Sequence, residues 1–225
     1  MQIIELHESG PLFESLYYDV LVPSFPKSEL NDFEQVQRAF EAGRDLVWVA
    51  LDDAGQVIGG AVGEWEEEYR IILLAWFAVR PGQRGGGIGG PLLDAAVAAW
   101  REQCSPCLIL AEIEDPAQHG AVKDEYGDPA ARLRFYQKHG TRALDVPYFQ
   151  PSLDADSPRV HGLLLAVLHV DPALAGSDPD TVDSELLLSY MTDYLESCEG
   201  AAFVDEEAKA LEAALNRPGG VPFRD

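Results

Sequence analysis

The chain has 225 residues, with 39 Asp or Glu against 16 Lys or Arg and a formal net charge of −23 at pH 7. That balance excludes a nucleic-acid binder, whose affinity rests on cations neutralising phosphates, and is compatible with a cationic small molecule or a basic peptide as partner. No apolar run reaches the ~20 residues of a membrane helix, and three cysteines in a chain this long do not make a disulfide framework.

Met1-Gln2-Ile3-Ile4-Glu5 has neither a basic region nor a cleavage site, so a cytoplasmic protein without a signal peptide is expected. The apolar share of 47% is that of a globular protein, one large domain or a domain with an appendage.

Residues 2–6 read as a short strand. Residues 11–22 and 27–40 read as two helices split by Pro23-Ser24-Phe25-Pro26, with Ser28 as the cap of the second. Residues 45–51 and 56–65 form a hairpin across the turn-rich Asp52-Asp53-Ala54-Gly55. The acidic run Glu64-Trp65-Glu66-Glu67-Glu68 follows, either a solvated turn or the lining of an amine site. Residues 71–79 are almost wholly apolar, as in a strand buried on both faces.

That strand runs into Arg80-Pro81-Gly82-Gln83-Arg84-Gly85-Gly86-Gly87-Ile88-Gly89-Gly90, a loop nearly stripped of side chains. Residues 89–100 then carry apolar residues at 92, 93, 96, 97 and 100, one stripe of a helix, with Pro91 in its first turn. Glycines let backbone N–H groups approach a ligand closely, and the N-terminus of a helix attracts anions, so this strand–loop–helix unit is a phosphate cradle. A Walker A loop is excluded, because Ile88 and Gly89 stand where Lys and Ser or Thr are needed. A dinucleotide fingerprint is formally present at Gly85, Gly87 and Gly90, with Glu112 on the following strand, but five residues separate it from the strand end.

Cys104-Ser105-Pro106-Cys107 has C-x-x-C spacing without a second cysteine pair or a histidine set, so no zinc site is read. Residues 107–113 form a strand. Glu112 and Glu114 fall on one face by period-two spacing, and a carboxylate on a core strand is costly unless paired or used. Residues 115–127 read as a loop containing Pro116, Gly120 and Gly127. Asp128 then caps a helix that has Pro129 in its first position. Residues 141–149 and 160–170 read as a hairpin through Pro151 and Pro158, and 171–180 as a linker. Two helices follow. Leu187, Tyr190, Met191, Tyr194, Leu195 and Cys198 share one face of the first, a stripe that must be covered by the core or by a second copy in a homodimer; the second spans 206–216. His7, His119, His139, His161 and His169 show no metal-ligand spacing, and no metal is expected.

Two segments carry a family resemblance. Val79, Pro81, Arg84, Gly87, Gly89, Leu92 and Leu93 resemble the acyl-CoA loop of the GNAT N-acetyltransferase superfamily, written Q/R-x-x-G-x-G/A after V-x-P and before a leucine pair. Downstream, Arg132-Leu133-Arg134-Phe135-Tyr136-Gln137-Lys138-His139-Gly140 is similar to the last core helix of that family, R-x-x-F-Y-E-R-x-G-F. Asp128-Pro129 stands where an Asn often precedes that helix, and Thr141 replaces the usual aromatic.

The resemblance implies a mixed α/β sheet of about seven strands flanked by helices. It implies a GNAT domain over residues 1–170, with 171–225 as linker and C-terminal helical extension. It further implies acetyl-CoA as acyl donor, held by Phe77, Ala78, Val79, Arg84, Gly85, Gly86, Gly87, Ile88, Gly89, Gly90, Arg132 and Phe135. Tyr136 matches the tyrosine that protonates the leaving thiolate, and a backbone N–H near Ala78 or Val79 would face the thioester oxygen. Glu112 is the chosen base, with Glu114 and residues 66–68 as the other carboxylates in view. The expected reaction is transfer of acetyl to a primary amine of a small cationic acceptor. A non-catalytic acyl-CoA-binding module and a nicotinamide-dependent oxidoreductase remain as alternatives.

Overall fold

The computed structural model describes residues 1–27, 29–119, 127–152 and 158–224. Ser28, expected as a helix cap, lies outside them, as do Gly120 of the expected loop and the middle of the hairpin expected between Pro151 and Pro158. The chain divides into two compact units, Met1–Ser105 and Pro106–Asp225.

In the first unit four consecutive strands form an antiparallel array in chain order: β1 (Gln2–Leu6), β2 (Asp45–Leu51), β3 (Val57–Glu66) and β4 (Ile71–Val79). Helix α1 (Pro11–Ser15) continues into a π-helical turn, Leu16–Leu21, closed by the Val22 N–H on the Tyr17 carbonyl at 2.9 Å. Helix α2 (Phe33–Glu41) starts later than its periodicity predicts. Asp32 and Gln35 form a capping box that satisfies a donor at each end, and this reciprocal bond sets the start. Phe13, Leu16, Val20, Val36 and Phe40 pack with Val47, Val49, Val62 and Trp76 of the strands into one core.

Helix α3 (Gly89–Gln103) buries Leu92, Leu93, Ala96 and Trp100. Its seat is a strand face without bulk. A Cβ on Gly59 would lie 3.3 Å from Leu92, and one on Gly63 would lie 2.9 Å from the Trp100 ring and 2.8 Å from Ile72. Gly60 does the same for Leu16, whose methyl would lie 2.2 Å from such a Cβ. The glycines of β3 therefore let helical side chains reach the backbone of the sheet.

The second unit contains β5 (Leu108–Glu114), α4 (Pro116–His119), α5 (Pro129–Lys138), β6 (Arg142–Ala143) and β7 (Leu163–Val170), with strand order β5-β7-β6. After it come the ribbon strand β8 (Thr181–Val182), α6 (Ser184–Glu199), α7 (Glu206–Leu215) and β9 (Val221–Pro222), which pairs with β8. The strand expected over 141–149 ends after two residues. Beyond it the backbone turns to a different partner. Asp145 donates to the Pro222 carbonyl at 2.9 Å and Arg224 donates to that of Ala143 at 2.8 Å, so the C-terminal segment covers the edge of β6.

The apolar stripe of α6 is covered, with Leu187, Tyr190, Met191 and Leu195 buried. Arg159 ties the helices down. It pairs with Glu199 at the end of α6 and with Asp205 and Glu207 at the start of α7, and its guanidinium lies 4.3 Å from the Phe149 ring centroid. Among the described residues no helix is long and apolar enough to cross a membrane.

Gly63→Val would force branched carbons into the Trp100 ring. It should lower stability by about 1–3 kcal/mol, read as a fall in denaturant midpoint with the slope retained.

Candidate active site

The glycine loop lies in the first unit and begins where β4 ends. Arg80 still donates to the Ile58 carbonyl at 2.9 Å, and two turns follow, with Gln83 donating to Arg80 at 3.0 Å and Gly86 to Gln83 at 3.4 Å. Gly82, Gly85 and Gly87 sit at φ +86°, +83° and +77°, where a side chain would be strained. A Cβ at any of these three would meet nothing within 4 Å, so the space beside the loop is open.

The helix that follows is unusual for this chain. Helices α2, α5, α6 and α7 each begin with an aspartate whose side chain accepts a backbone N–H. Helix α3 begins at Ile88 with no side-chain cap and no acidic residue in its first turn. Among the described residues, the N–H groups of Gly87, Ile88, Gly89 and Gly90 have no acceptor within the chain. Unsatisfied donors and the positive end of the helix dipole point the same way, an arrangement that fits the phosphates of a nucleotide.

The two loop arginines turn away from the glycines. Arg80 pairs with Asp19 at 3.1 Å, and Arg84 donates to the Val79 carbonyl at 3.4 Å and to the Ser24 hydroxyl at 3.2 Å. Phe77 and Ile88 pack on Ala50, Ile58 and Leu92, anchoring the strand end and the helix start to one cluster. The β3–β4 register shifts between Val62 and Gly63, so Ala75 is an extra residue on β4. Such bulges re-aim a strand and are frequent beside active sites.

The other expected site residues lie in the second unit. Asp128 caps α5 by accepting from Ala130 and Ala131 at 3.0 and 3.1 Å. The helix closes on Gly140 at φ +82°. Thr141 donates to Tyr136 and Gly140 to Gln137, at 3.2 and 3.1 Å. That pair of bonds is a Schellman cap, which explains the glycine that ends the motif. Tyr136 is buried, and burial pushes its hydroxyl up against the opposing pull of Arg132, so it stays protonated. Phe135 packs edge-on to Tyr136 and lies 4.9 Å from the His139 ring. Arg132 forms an ion pair with Glu114.

Glu112 holds a different set of partners. One carboxylate oxygen accepts from the Tyr148 hydroxyl and the other from Gln150 Nε2 at 3.0 Å. Neither partner was singled out by sequence pattern. Val146-Pro147-Tyr148-Phe149-Gln150 reads as strand, and only the turn of the backbone after Ala143 brings these side chains to β5.

The acidic run at the end of β3 is remote from the cradle. Glu66 pairs with Ile71 and Gly59 with Val79, at opposite ends of the nine-residue β4, which puts them roughly 26 Å apart along the strand. Asp45 is the buried carboxylate there. It is 4% exposed, stands opposite Glu64, and neither of its oxygens has a hydrogen-bond partner among the described residues. Burial pushes its pKa up to about 7, opposed by Arg44 and reinforced by Glu66.

Four consecutive antiparallel strands precede the glycine loop, unlike the parallel strands of a dinucleotide fold, and the family comparison gives an acetyltransferase domain in place of a nicotinamide-dependent oxidoreductase. Residues 43–140 match the family model of the Acetyltransferase (GNAT) domain. That stretch carries the family likeness, and the fold of the chain is that of the solved structures it superposes on. A sequence comparison with the curated proteins finds no match. Among solved structures, a protein from Bacteroides thetaiotaomicron assigned to the GNAT acetyltransferases superposes with TM-score 0.57 at 22% identity, over 76% of this chain and 88% of that one. An aminoglycoside 6'-N-acetyltransferase complexed with coenzyme A gives 0.53 at 16%, over 76% and 99%. A protein from Salmonella typhimurium assigned as an acetyltransferase, with its cofactor acetyl-CoA, gives 0.52 at 19%, over 76% and 94%.

The buried Asp45 makes stability depend on pH. Its folded pKa of about 7 lies above the unfolded carboxylate value of 3.8, so the penalty is still small at pH 4, where the folded state is protonated and the unfolded state only about half ionised. Stability is lost as pH rises toward and through 7, because only the unfolded state ionises freely. Asp45→Asn should therefore gain on the wild type between pH 4 and pH 8, by a difference in thermal midpoint on the order of a few degrees. Parallel melting curves at both pH values would count against an ionisable buried Asp45.

Proposed function

We propose that the protein is an acetyl-CoA-dependent N-acetyltransferase acting on a primary amine of a small cationic acceptor, with the GNAT domain spanning residues 1–170. The observation that carries the reading is the uncapped, acid-free start of α3 behind a loop of three positive-φ glycines. In a chain of net charge −23 that caps its other long helices with aspartate, this terminus is kept free for an outside anion. The family match over residues 43–140 supports an acyl-CoA as that anion, and neighbours of the same fold carry coenzyme A or acetyl-CoA. The backbone of residues 84–90 would hold the pyrophosphate, with Phe77, Ala78 and Val79 along the pantetheine arm.

Tyr136 and Glu112 are assigned by the motif match and by chemistry. The acceptor arrives as an ammonium and must lose a proton before it attacks. Glu112 takes it. The amine nitrogen then bonds to the thioester carbon, and a backbone N–H near Ala78 or Val79 faces the developing oxyanion. The C–S pair leaves with sulfur, which receives the proton of the Tyr136 hydroxyl. The proton shed by the new amide nitrogen restores that hydroxyl, and Glu112 returns its proton to solvent. The sum is amine and thioester to amide and free thiol. Arg132 and Phe135 would support this helix beside the donor. The acidity of the surface supports a cationic acceptor, such as a polyamine, an amino sugar or a basic peptide.

Two variants test the donor and the acid separately. Gly87→Glu places a carboxylate in the open space beside the loop, at a backbone cost set by the φ of +77°, so cooperative melting of the variant is established first. Isothermal titration with coenzyme A should find no binding to a variant that still melts cooperatively, and wild-type affinity there would move the cradle elsewhere. Tyr136→Phe should lower kcat and kcat/KM together by roughly 10²–10⁴-fold, with coenzyme A affinity unchanged. Unaltered turnover would remove the hydroxyl from the reaction.

A further inference from the structure

Both arginines of the glycine loop are bonded to the first helical segment and the turn after it. Arg80, at the start of the loop, is pinned twice. Its N–H donates to the Ile58 carbonyl at 2.9 Å, and its guanidinium pairs with Asp19 at 3.1 Å. Asp19 belongs to the π-helical turn, Leu16–Leu21, and also accepts from the Ser15 hydroxyl at 2.8 Å. Leu16 of the same turn sits over Gly60, where a Cβ would clash with its methyl. The turn therefore rests on β3 two residues from the carbonyl that holds Arg80. In the middle of the loop, Arg84 reaches back to the Val79 carbonyl at 3.4 Å and to the Ser24 hydroxyl at 3.2 Å. Ser24 is buried, and its own N–H donates to the Leu21 carbonyl at 2.8 Å, which fixes it to the end of the turn.

We infer that Asp19 and Ser24 are positioning residues for the phosphate cradle, holding Arg80 and Arg84 as tethers of the loop rather than as phosphate ligands. This rests on the loop being the donor site. Between Val79 and Ile88 only Arg80, Pro81, Gln83 and Arg84 carry side chains, so the two arginines are the long handles by which the loop can be held. Glycine-rich backbone loses much freedom on ordering, and fixing it at two points before the ligand arrives lowers that cost. A partly exposed ion pair adds little to global stability, so the Arg80–Asp19 pair acts mainly on the loop it anchors. The pairing also settles a conflict of charge. A lone carboxylate at the base of an anion site would repel phosphate, and the Arg80 guanidinium neutralises it there. The π-helical turn, a feature that recurs at functional sites, thus belongs to the donor site as its anchor.

Isothermal titration of the full chain with coenzyme A tests this by the sign of the change. With Arg80 as a phosphate ligand, Asp19→Asn would release it and remove a repelling charge, and coenzyme A would bind more tightly. With Arg80 as a tether, Asp19→Asn should weaken binding roughly 3–10-fold, the scale of coupling between residues in contact, with the thermal midpoint nearly unchanged. Arg80→Met should lose the same amount, and the double variant no more than either. The reversed pair, Asp19→Arg with Arg80→Asp, should recover most of the affinity, which a phosphate-binding Arg80 does not allow. Ser24→Ala, acting through Arg84, should weaken binding in the same direction and serves if the Asp19 variants do not fold. Tighter or unchanged binding to Asp19→Asn, or a reversed pair no better than Arg80→Met, overturns the tether, while coenzyme A binding by the wild type keeps the donor reading. A wild type that binds no coenzyme A overturns both.

Discussion

Helix α3 lies against β3 at positions where no side chain intervenes, and that close approach decides where its N-terminus sits. Gly59 and Gly63 admit Leu92 and Trp100 to the strand backbone, and both would clash with a Cβ at those sites. Because Leu92 is only two residues past the last loop glycine, its seat fixes the height of the whole glycine turn above the end of β4. Phe77 and Ile88 close the same cluster from strand and helix. The cradle can be almost devoid of side chains because its anchors are the residues on either side of it. The loop is thereby held between two packed anchors, which would limit the entropy lost on binding the proposed anion.

Charge is placed with similar selectivity. The chain holds 39 acidic residues, and several are spent on helix starts, where Asp32, Asp128, Asp183 and Asp205 each accept N–H groups. Others hold the second unit together: Glu199 is kept below the usual carboxylate range by Arg159, and Asp205 first by the Ala208 N–H and then by Arg159. Helix α3 has neither an aspartate cap nor an acidic residue in its first turn.

Much of this was legible in the sequence. The bounds of β1, β4 and the start of α3 follow from apolar runs and from glycine, and Asp128-Pro129 announces the start of α5. The conformation of Gly87 and the cap at Gly140 are written in the residues themselves. What was hidden depends on long-range pairing. The expected strand over 141–149 has the right composition, yet Asp145 bonds instead to Pro222, a segment 77 residues on, which no local pattern encodes. The widening of residues 16–21 into a π-helical turn is equally silent, because the apolar spacing of an α-helix and a π-helix differs by a fraction of a residue. The partners of Glu112 belong to the same class: Tyr148 and Gln150 become visible only after the chain has turned away from the strand it was expected to continue. The rule that a carboxylate on a core strand must be paired or used did single out Glu112 and Glu114, and the structure answers it twice, with Tyr148 and Gln150 for one and Arg132 for the other.

The burial of Tyr136 constrains how the proposed acid can work. A free thiol has a pKa near ~8.5 and a free phenol near ~10, and burial moves this phenol further up. Full transfer of its proton to a departing thiolate is therefore uphill if taken as a separate step. It becomes accessible when the hydroxyl is refilled as it empties, and the nitrogen of the tetrahedral adduct is the one group that must shed a proton at that moment. The phenol then acts as a relay from nitrogen to sulfur and never rests as a phenolate, the species that burial penalises. Arg132 opposes the upward shift only in part, and its charge is already committed to Glu114. A buried tyrosine with a raised pKa is consequently suited to a concerted exchange and poorly suited to stepwise acid catalysis, and the first proton of the ammonium has to go elsewhere. That division of labour gives the proposed mechanism its separate carboxylate.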